Sequence, residues 1–291
     1  MARLSTPTGV ELAPLTTDDV AAAAELSAAI GWNQDEQDWR RLVDLHPSTV
    51  IGAWRGGRLV GSATLAVYPS ELAWLGMVIT HPDARGQGIG GAVVDAALAT
   101  PEAESVPLIG LDATPAGAPI YERRGFVTVD TVERWEGDLV TGTNGSTRAT
   151  IRPLASPDAA SVVEFDRDAA GVNRGRMLKH LLGEPGVRAW VAEEDERTVG
   201  YAVRRPGRTH VHIGPVVADD DAVFGALLST VMFAGSPGPV FVDAVHRDAV
   251  AKRLGAAGFT VARTLGRMTR GSGGAALTGG RLKAAMALEW G

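Results

Sequence analysis

Hydrophobic and polar positions repeat with two different periods along this chain, and the switches between them lay out its elements. Residues 10 to 14 read as a short strand, and Thr17 to Ile30 carries the three-and-four spacing of a helix, with Thr17 or Asp18 placed to cap it. Asp35 to Leu45 predicts a second helix. Thr49 to Trp54 and Arg58 to Tyr68 are then two strands joined by a tight turn at Gly56-Gly57, and a third strand runs from Leu72 to Ile79. Three strands in succession imply an antiparallel meander. After it come a glycine-rich loop, a helix from Gly90 to Ala99, a buried strand at Pro107 to Leu111, a helix ending at Arg124 and a final strand pair. The class is α+β, a mixed and mostly antiparallel sheet flanked by helices.

The same plan occurs twice. Pro14-Leu15 with its acidic helix start at Asp19 matches Pro153-Leu154 with Asp158, Val60-Gly61 falls on Val199-Gly200, and Arg124-Gly125-Phe126 corresponds to Ala257-Gly258-Phe259. A tandem duplication follows, with a first domain at 1–140 and a second at 148–291. The polar stretch Thr141 to Thr147 between them has the composition of a linker. Its Asn144-Gly145-Ser146 is a formal glycosylation sequon that reads as turn chemistry in a cytoplasmic chain.

Composition narrows the chemistry. There is no cysteine, so disulfides, thiolate metal sites and cysteine nucleophiles are excluded. A formal charge of −6 gives no global field for nucleic acid or an anionic membrane, so an anionic ligand has to be caught locally. No run of eighteen apolar residues exists and the start lacks a signal-peptide pattern, which predicts a cytoplasmic protein without membrane partners. His210 and His212 share one face of a strand, but without an acidic or cysteine neighbour in sequence they predict no metal.

One local feature points to such an anion. His81-Pro-Asp-Ala-Arg-Gly-Gln-Gly-Ile-Gly-Gly91 lies between an apolar strand and an amphipathic helix. Glycines at 86, 88 and 90 let backbone N–H groups converge without Cβ obstruction, the helix adds its positive end, and Arg85 adds a charged fork, an arrangement suited to a pyrophosphate. The spacing Gly86-x-Gly88-x-x-Gly91, with Asp112 ending the next strand, also satisfies the dinucleotide fingerprint of nicotinamide oxidoreductases. Against that reading, Thr80 to Arg85 separates the strand from the first glycine, and three strands precede the loop.

Arg85-x-x-Gly88-x-Gly90 after an antiparallel strand, followed by Tyr121-Glu-Arg-Arg-Gly-Phe126, resembles the GCN5-related N-acetyltransferase (GNAT) family over the whole first half. The second half, through Phe165-Asp-Arg167, Gly171-Val-Asn-Arg174, Ile213-Gly-Pro-Val-Val-Ala218 and Arg267-Met-Thr-Arg-Gly271, resembles the tandem bacterial branch of the YitH type. The resemblance implies acetyl-coenzyme A as cosubstrate and an amine of a small molecule as acceptor. It places the pyrophosphate on Arg85, Gly86, Gln87, Gly88, Ile89, Gly90 and Gly91, the pantetheine arm on Met77, Val78 and Ile79, and a further coenzyme contact on Thr114, where many relatives carry asparagine. Tyr121 would protonate the departing thiolate. The segment after the first helix, with Trp32 and Asn33 foremost and Asp35 and Trp39 behind, would line the acceptor pocket, although the helical spacing of Trp39 reads first as core.

An amine of ordinary basicity, with a pKa of about 10.4, must lose a proton before it can attack a thioester. Glu71, at the entry to the strand before the loop, is the candidate base or else a solvated charge, and an N–H near Val78 could hold the oxyanion. Asp166, Arg167 and Arg174 either face the cleft from the second half or form a surface salt-bridge cluster. Aligning the two Gly-Phe pairs sets Leu254 opposite Tyr121, and Asp219-Asp220-Asp221 stands where the first half has its glycines. One acetyl-coenzyme A per chain is therefore expected, held by the first half, with the second half as lid and cleft wall and the chain a monomer. A non-catalytic acyl-coenzyme A sensor is the competing function, with the nicotinamide oxidoreductase third.

Overall fold

The computed structural model describes residues 4–5, 9–138, 147–234, 238–245, 248–272 and 279–291. The sequon and all but the last residue of the predicted linker lie outside them. The first half runs β1 (Leu4–Ser5), β2 (Glu11–Pro14), α1 (Val20–Ala29), α2 (Glu36–Leu45), β3 (Val50–Arg55), β4 (Arg58–Tyr68), β5 (Leu72–Thr80), α3 (Ile89–Leu98), α4 (Pro101–Glu104), β6 (Leu108–Ala113), α5 (Ala118–Glu122) and β7 (Val127–Asp138). The second repeats the plan from β2 onward: β8 (Thr150–Pro153), α6 (Ala159–Ala170), α7 (Gly175–Leu182), β9 (Arg188–Glu194), β10 (Arg197–Arg205), β11 (Val211–Ala218), α8 (Asp221–Phe233), β12 (Pro239–Val245), α9 (Asp248–Ala256) and β13 (Thr260–Gly271). A last short strand, β14 (Leu282–Ala284), has no counterpart among the described residues of the first half.

Local chemistry explains the starts of the helices. The cap before α1 is neither Thr17 nor Asp18: a 3-10 turn over Thr17–Asp19 moves it to Thr16, whose N–H and hydroxyl both donate to Asp19 Oδ2 at 2.8 Å. Asp35 caps α2 by accepting from the N–H groups of Gln37 and Asp38. The two Gly-Phe corners are equivalent in space, since Phe126 N–H donates to Tyr121 O and Phe259 N–H to Leu254 O. Leu254 thus does occupy the position of Tyr121.

Both halves contribute to one fourteen-stranded sheet. The expected final strand pair of the first half is a single strand, β7, and its partners come from the other half. It pairs antiparallel with β12 from Val132↔Val245 to Asp138↔Pro239 on one side and with β13 on the other, while β13 pairs with β6 from Leu108↔Gly271 to Ala113↔Gly266. The last strand of the shared plan, β7 in the first half and β13 in the second, therefore crosses into the sibling. Burial follows the same logic, because one core cluster joins Trp39, Leu42 and Leu72 to Leu178, Leu181, Met286 and Trp290. Among the described residues no helix is long and apolar enough to cross a membrane.

The sheet parts in two places. β5 and β6 run parallel but pair only at Ala73↔Ile109 and Trp74↔Gly110, then diverge. A bulge promotes the divergence: Ser62 pairs with Ile79 but Thr64 with Gly76, so β5 carries an extra residue, and Met77 takes up a φ of 46°. Ser62 Oγ donates to Met77 O at 2.8 Å and holds the kink. β11 and β12 part likewise after Ile213↔Val242, but there β14 enters and pairs with both.

Candidate active site

The notch between β5 and β6 opens into a cavity of about 160 Å³ lined by Trp32, Gln34, Gly76, Met77, Val78, Asp112, Thr114, Tyr121, Arg134, Arg263, Leu288 and Glu289, among others. A wider groove runs along the glycine loop past Arg85, Gly86, Gly88, Ile89, Gly90, Gly91, Arg123 and Arg124. Cavity and groove share Thr80, Gly90, Gly117 and Ile120, so they form one continuous channel. One end is basic and backbone-lined, the other enclosed.

The loop is built for close approach. Gly86 and Gly88 have φ of 74° and 78°, values that side chains rarely adopt, and nothing lies within 4 Å of where a Cβ on Gly86 would stand. Gly88 caps α3, whose first N–H groups have no intrahelical acceptor and point at the groove. Arg85 is exposed, and Arg124 clamps the floor by binding Asp95 at 2.6 and 2.8 Å while donating to the carbonyls of Ile120 and Gly91. These features fit a pyrophosphate: a backbone cradle at a helix start with guanidinium groups on its rim.

Tyr121 lies at the inner end, packed edge-on against Phe126 at 6.1 Å. Burial pushes its phenol up to about 12, with Arg124 pulling the other way, so it stays protonated at neutral pH. Thr114 Oγ1 accepts from Gly117 N–H at 3.2 Å and faces the cavity.

Among the described residues, four charged groups line the cavity. Asp112 is held by Arg267 through two bonds of 2.9 and 3.0 Å, with the guanidinium stacked on Trp74. Arg134 is held by Asp243 at 2.7 and 2.8 Å, and Asp243 also meets His212 Nε2 at 3.0 Å, which keeps its carboxyl well below the usual range against the cost of burial. Arg263 comes from β13 and Glu289 from the tail after β14.

Two acetyltransferase (GNAT) domain models match the chain, one over residues 46–128 and one over residues 162–281. The chain is a tandem GNAT acetyltransferase. Its class is acyltransferase, and its fold is two GNAT units of α+β type. The uncharacterized N-acetyltransferase YitH of Bacillus subtilis is 24% identical over 235 residues, covering 80% of this chain and 81% of that one. Among solved structures, a putative acetyltransferase from Pyrococcus horikoshii superposes with a TM-score of 0.82 at 20% identity, over 100% of this chain and 99% of that one. A tandem GNAT protein from the clavulanic acid biosynthesis pathway superposes at 0.61 with 17% identity, covering 91% and 99%.

Within this GNAT frame the expected residues separate into two groups. Met77, Val78, Thr114, Tyr121 and Trp32 come together around the cavity, and Arg85, Gly86, Gly88, Ile89, Gly90 and Gly91 around the groove. Gln87 lies in the same loop with its side chain accepting from Arg55, and Ile79 packs into the core. Glu71 is elsewhere, in the turn at the far end of β5, where its carboxylate accepts from Asn173 N–H at 2.7 Å. Asn33 does not line the cavity. Its amide clasps the 207–210 loop, accepting from the N–H groups of Thr209 and His210 and donating to His210 O. Asp35 is a helix cap, and Trp39 is core, its indole N–H donating to Ser27.

The second-half cluster is buried rather than at the surface or the cleft: Arg174 binds Asp166 at 2.7 Å, Tyr201 donates to the same carboxylate, and only Arg167 is exposed. His210 and His212 do have acidic neighbours in space, Glu136 and Asp243, yet no group of three metal-binding side chains occurs among the described residues. Sequence reasoning missed Arg123, Arg134, Arg263 and Glu289. Their signal was weak, an unusually apolar chain end and charges in strands of uncertain partnership.

Proposed function

We propose that the first half binds acetyl-coenzyme A and that the chain transfers its acetyl group to an amine of a small molecule. One observation carries this: the basic groove and the enclosed notch are a single channel with Tyr121 at the inner end, which suits a long ligand with phosphates at one end and a thioester at the other. The backbone from Arg85 to Gly91 would hold the pyrophosphate, with the guanidinium groups of Arg85 and Arg123 beside it. Thioester carbon is the electrophile that the cosubstrate supplies.

Met77 and Val78 oppose one residue of β4 across the bulge, which leaves backbone N–H free of the ladder and available to a developing oxyanion. Tyr121, neutral at pH 7, is held ready to give its proton to the departing sulfur. The second half acts as wall of the acceptor cavity through Arg263, Leu265, Leu288 and Glu289. A monomer working in the cytoplasm belongs to the same reading, supported by strand exchange inside one chain.

Calorimetric titration with acetyl-coenzyme A tests it. A stoichiometry near one is expected, and Arg85→Glu should weaken affinity roughly 100-fold, since a charge-assisted hydrogen bond is worth about 1.5–3 kcal/mol. No binding, a stoichiometry near two, or full affinity in the variant sinks the assignment.

A further inference from the structure

We propose that Glu289 and Arg263 form an acceptor subsite for an amine that also carries a carboxylate, that is, an amino acid or a related zwitterion, with Glu289 taking the ammonium. The proposal rests on the acetyl-transfer reading above and names its acceptor class. Of the four charged groups at the cavity, two are already satisfied: both oxygens of Asp112 are bound by Arg267, and Arg134 is bound through two nitrogens by Asp243. The other two are not. Glu289 is 2% exposed, its Oε2 accepts from Gln34 Nε2 at 2.9 Å, and its Oε1 has no hydrogen-bond partner. Arg205 Nη2 approaches that oxygen only to 3.8 Å, while its Nη1 is bound to Asp38 at 2.6 Å. Arg263 has no bonded carboxylate or carbonyl among the described residues. Glu289 Oε1 is a buried acceptor without a donor and Arg263 a half-buried guanidinium without a carboxylate, so the two are best completed by a ligand carrying both complements.

The backbone that carries this carboxylate is tied down on both sides. Tyr68 donates to Trp290 O at 2.6 Å, Trp74 to Leu288 O at 3.0 Å and Arg174 to Gly291 O at 2.9 Å, while Arg41 covers the Trp290 ring at 4.3 Å. Gly76 lets the tail lie against β5, since a Cβ there would meet Glu289 Cα at 2.6 Å. Such fixation on both sides is what a positioned base requires.

In the reaction the acceptor ammonium gives one proton to Glu289, and the freed nitrogen attacks the thioester carbon. A C–N bond forms and the C–S bond breaks, with sulfur taking the Tyr121 proton. The second nitrogen proton then restores the phenol, and the proton on Glu289 leaves to solvent. The net change is ammonium plus thioester to amide, thiol and one proton.

Matched pairs of an α-amino acid and its decarboxylated amine, assayed by thiol release and product mass across the proteinogenic set, test the subsite in the full-length chain. The preferred amino acid should exceed its amine by roughly 100-fold in kcat/KM, as expected for a site that holds a guanidinium for the missing carboxylate. Arg263→Met should narrow that preference to within about tenfold through KM of the amino acid. Glu289→Gln, which keeps the Gln34 bond and the fold, should lower kcat about 100-fold with acetyl-coenzyme A affinity unchanged, and Glu289→Asp should recover part of it. Equal rates for acid and amine, an undiminished preference in Arg263→Met, or full turnover in Glu289→Gln overturns the proposal. So does acetyl-coenzyme A binding without transfer to any amino acid, an outcome that leaves the coenzyme reading standing. Failure to bind acetyl-coenzyme A at all would remove that reading itself.

Discussion

Between β5 and β6 the sheet parts and stays open, whereas the same parting between β11 and β12 is occupied by β14, which pairs with Val216 and Val217 on one side and Ala244 on the other. Both notches begin from a short parallel pairing and a register shift, so the backbone plan is shared and only the filling differs. The chain that fills the second notch continues directly into residues 285–291, of which Leu288 and Glu289 line the cavity of the first. One tail therefore fills the notch of its own half and lines the notch of the other. Two copies of one backbone plan have diverged in how the parting of the sheet is filled.

The largest test of this comparison is the tail itself. Trp290 is fully buried in the cluster that joins the halves. Trp290→Ala should cost about 4 kcal/mol, the usual loss for a large buried aromatic. Urea unfolding should show one transition moved as a whole. A loss below about 1 kcal/mol, or two separated transitions, would mean that the halves stand independently.

A second difference lies in how each half buries a histidine. In the second half His212 has Asp243 at 3.0 Å, while burial and then Arg176 lower His46 of the first half to about 4. The unfolded chain protonates His46 near its ordinary 6.5, so its contribution is fully present above that value, is lost as pH falls from 6.5 to 4, and is level below. From pH 7 to 4 that amounts to about 3 kcal/mol. The acid slope of stability in that window should flatten in His46→Gln. A slope retained in the variant would assign it to His212 and to the second half.

For chemistry the contrast is Tyr121 against Leu254. Tyr121→Phe keeps the ring against Phe126 and removes only the hydroxyl. Turnover should fall at least about tenfold with acetyl-coenzyme A affinity within about twofold, the signature of a lost transition-state proton donor. Steady-state kinetics beside calorimetry separates the two, and unchanged turnover would make Tyr121 no different in role from its aliphatic counterpart.

Where sequence was legible and where it was not has a physical reason. The loop from His81 to Gly91, Tyr121 and the repeated anchors are local, since glycine spacing, a helix start and a Gly-Phe corner depend on near neighbours. Strand exchange is not local. The alternation in β7 and β13 fixes two faces but says nothing about which half supplies the partner, so a final strand pair was expected where β12 and β13 flank β7. Glu71 stands close in sequence to the loop, yet an extended strand carries it to the other end of β5. Asn33 reached the right region and spends its amide on the 207–210 loop instead. Glu289 could be found only once the tail was placed, although a tryptophan beside it in an apolar chain end hinted at burial.

The smallest expected effect is the most discriminating. Asp219, Asp220 and Asp221 stand where the first half has its glycine loop, and each has a structural occupation: Asp219 pairs with Arg281 at 2.8 Å, Asp220 caps α8 by accepting from Val223 N–H, and Asp221 pairs with Lys283 at 2.9 Å. The two pairs tie the filling segment to the helix that would otherwise face a phosphate. Asp219 and Arg281 are more than one-third exposed, so their pair is worth no more than about 1 kcal/mol. Asp219→Asn should therefore change stability by less than that and acetyl-coenzyme A affinity by less than about twofold, against roughly 100-fold for Arg85→Glu. Calorimetry on the two variants side by side measures the asymmetry directly. If Asp219→Asn strengthens binding or raises the stoichiometry above one, the second notch still receives coenzyme, and its filling by β14 does not close it.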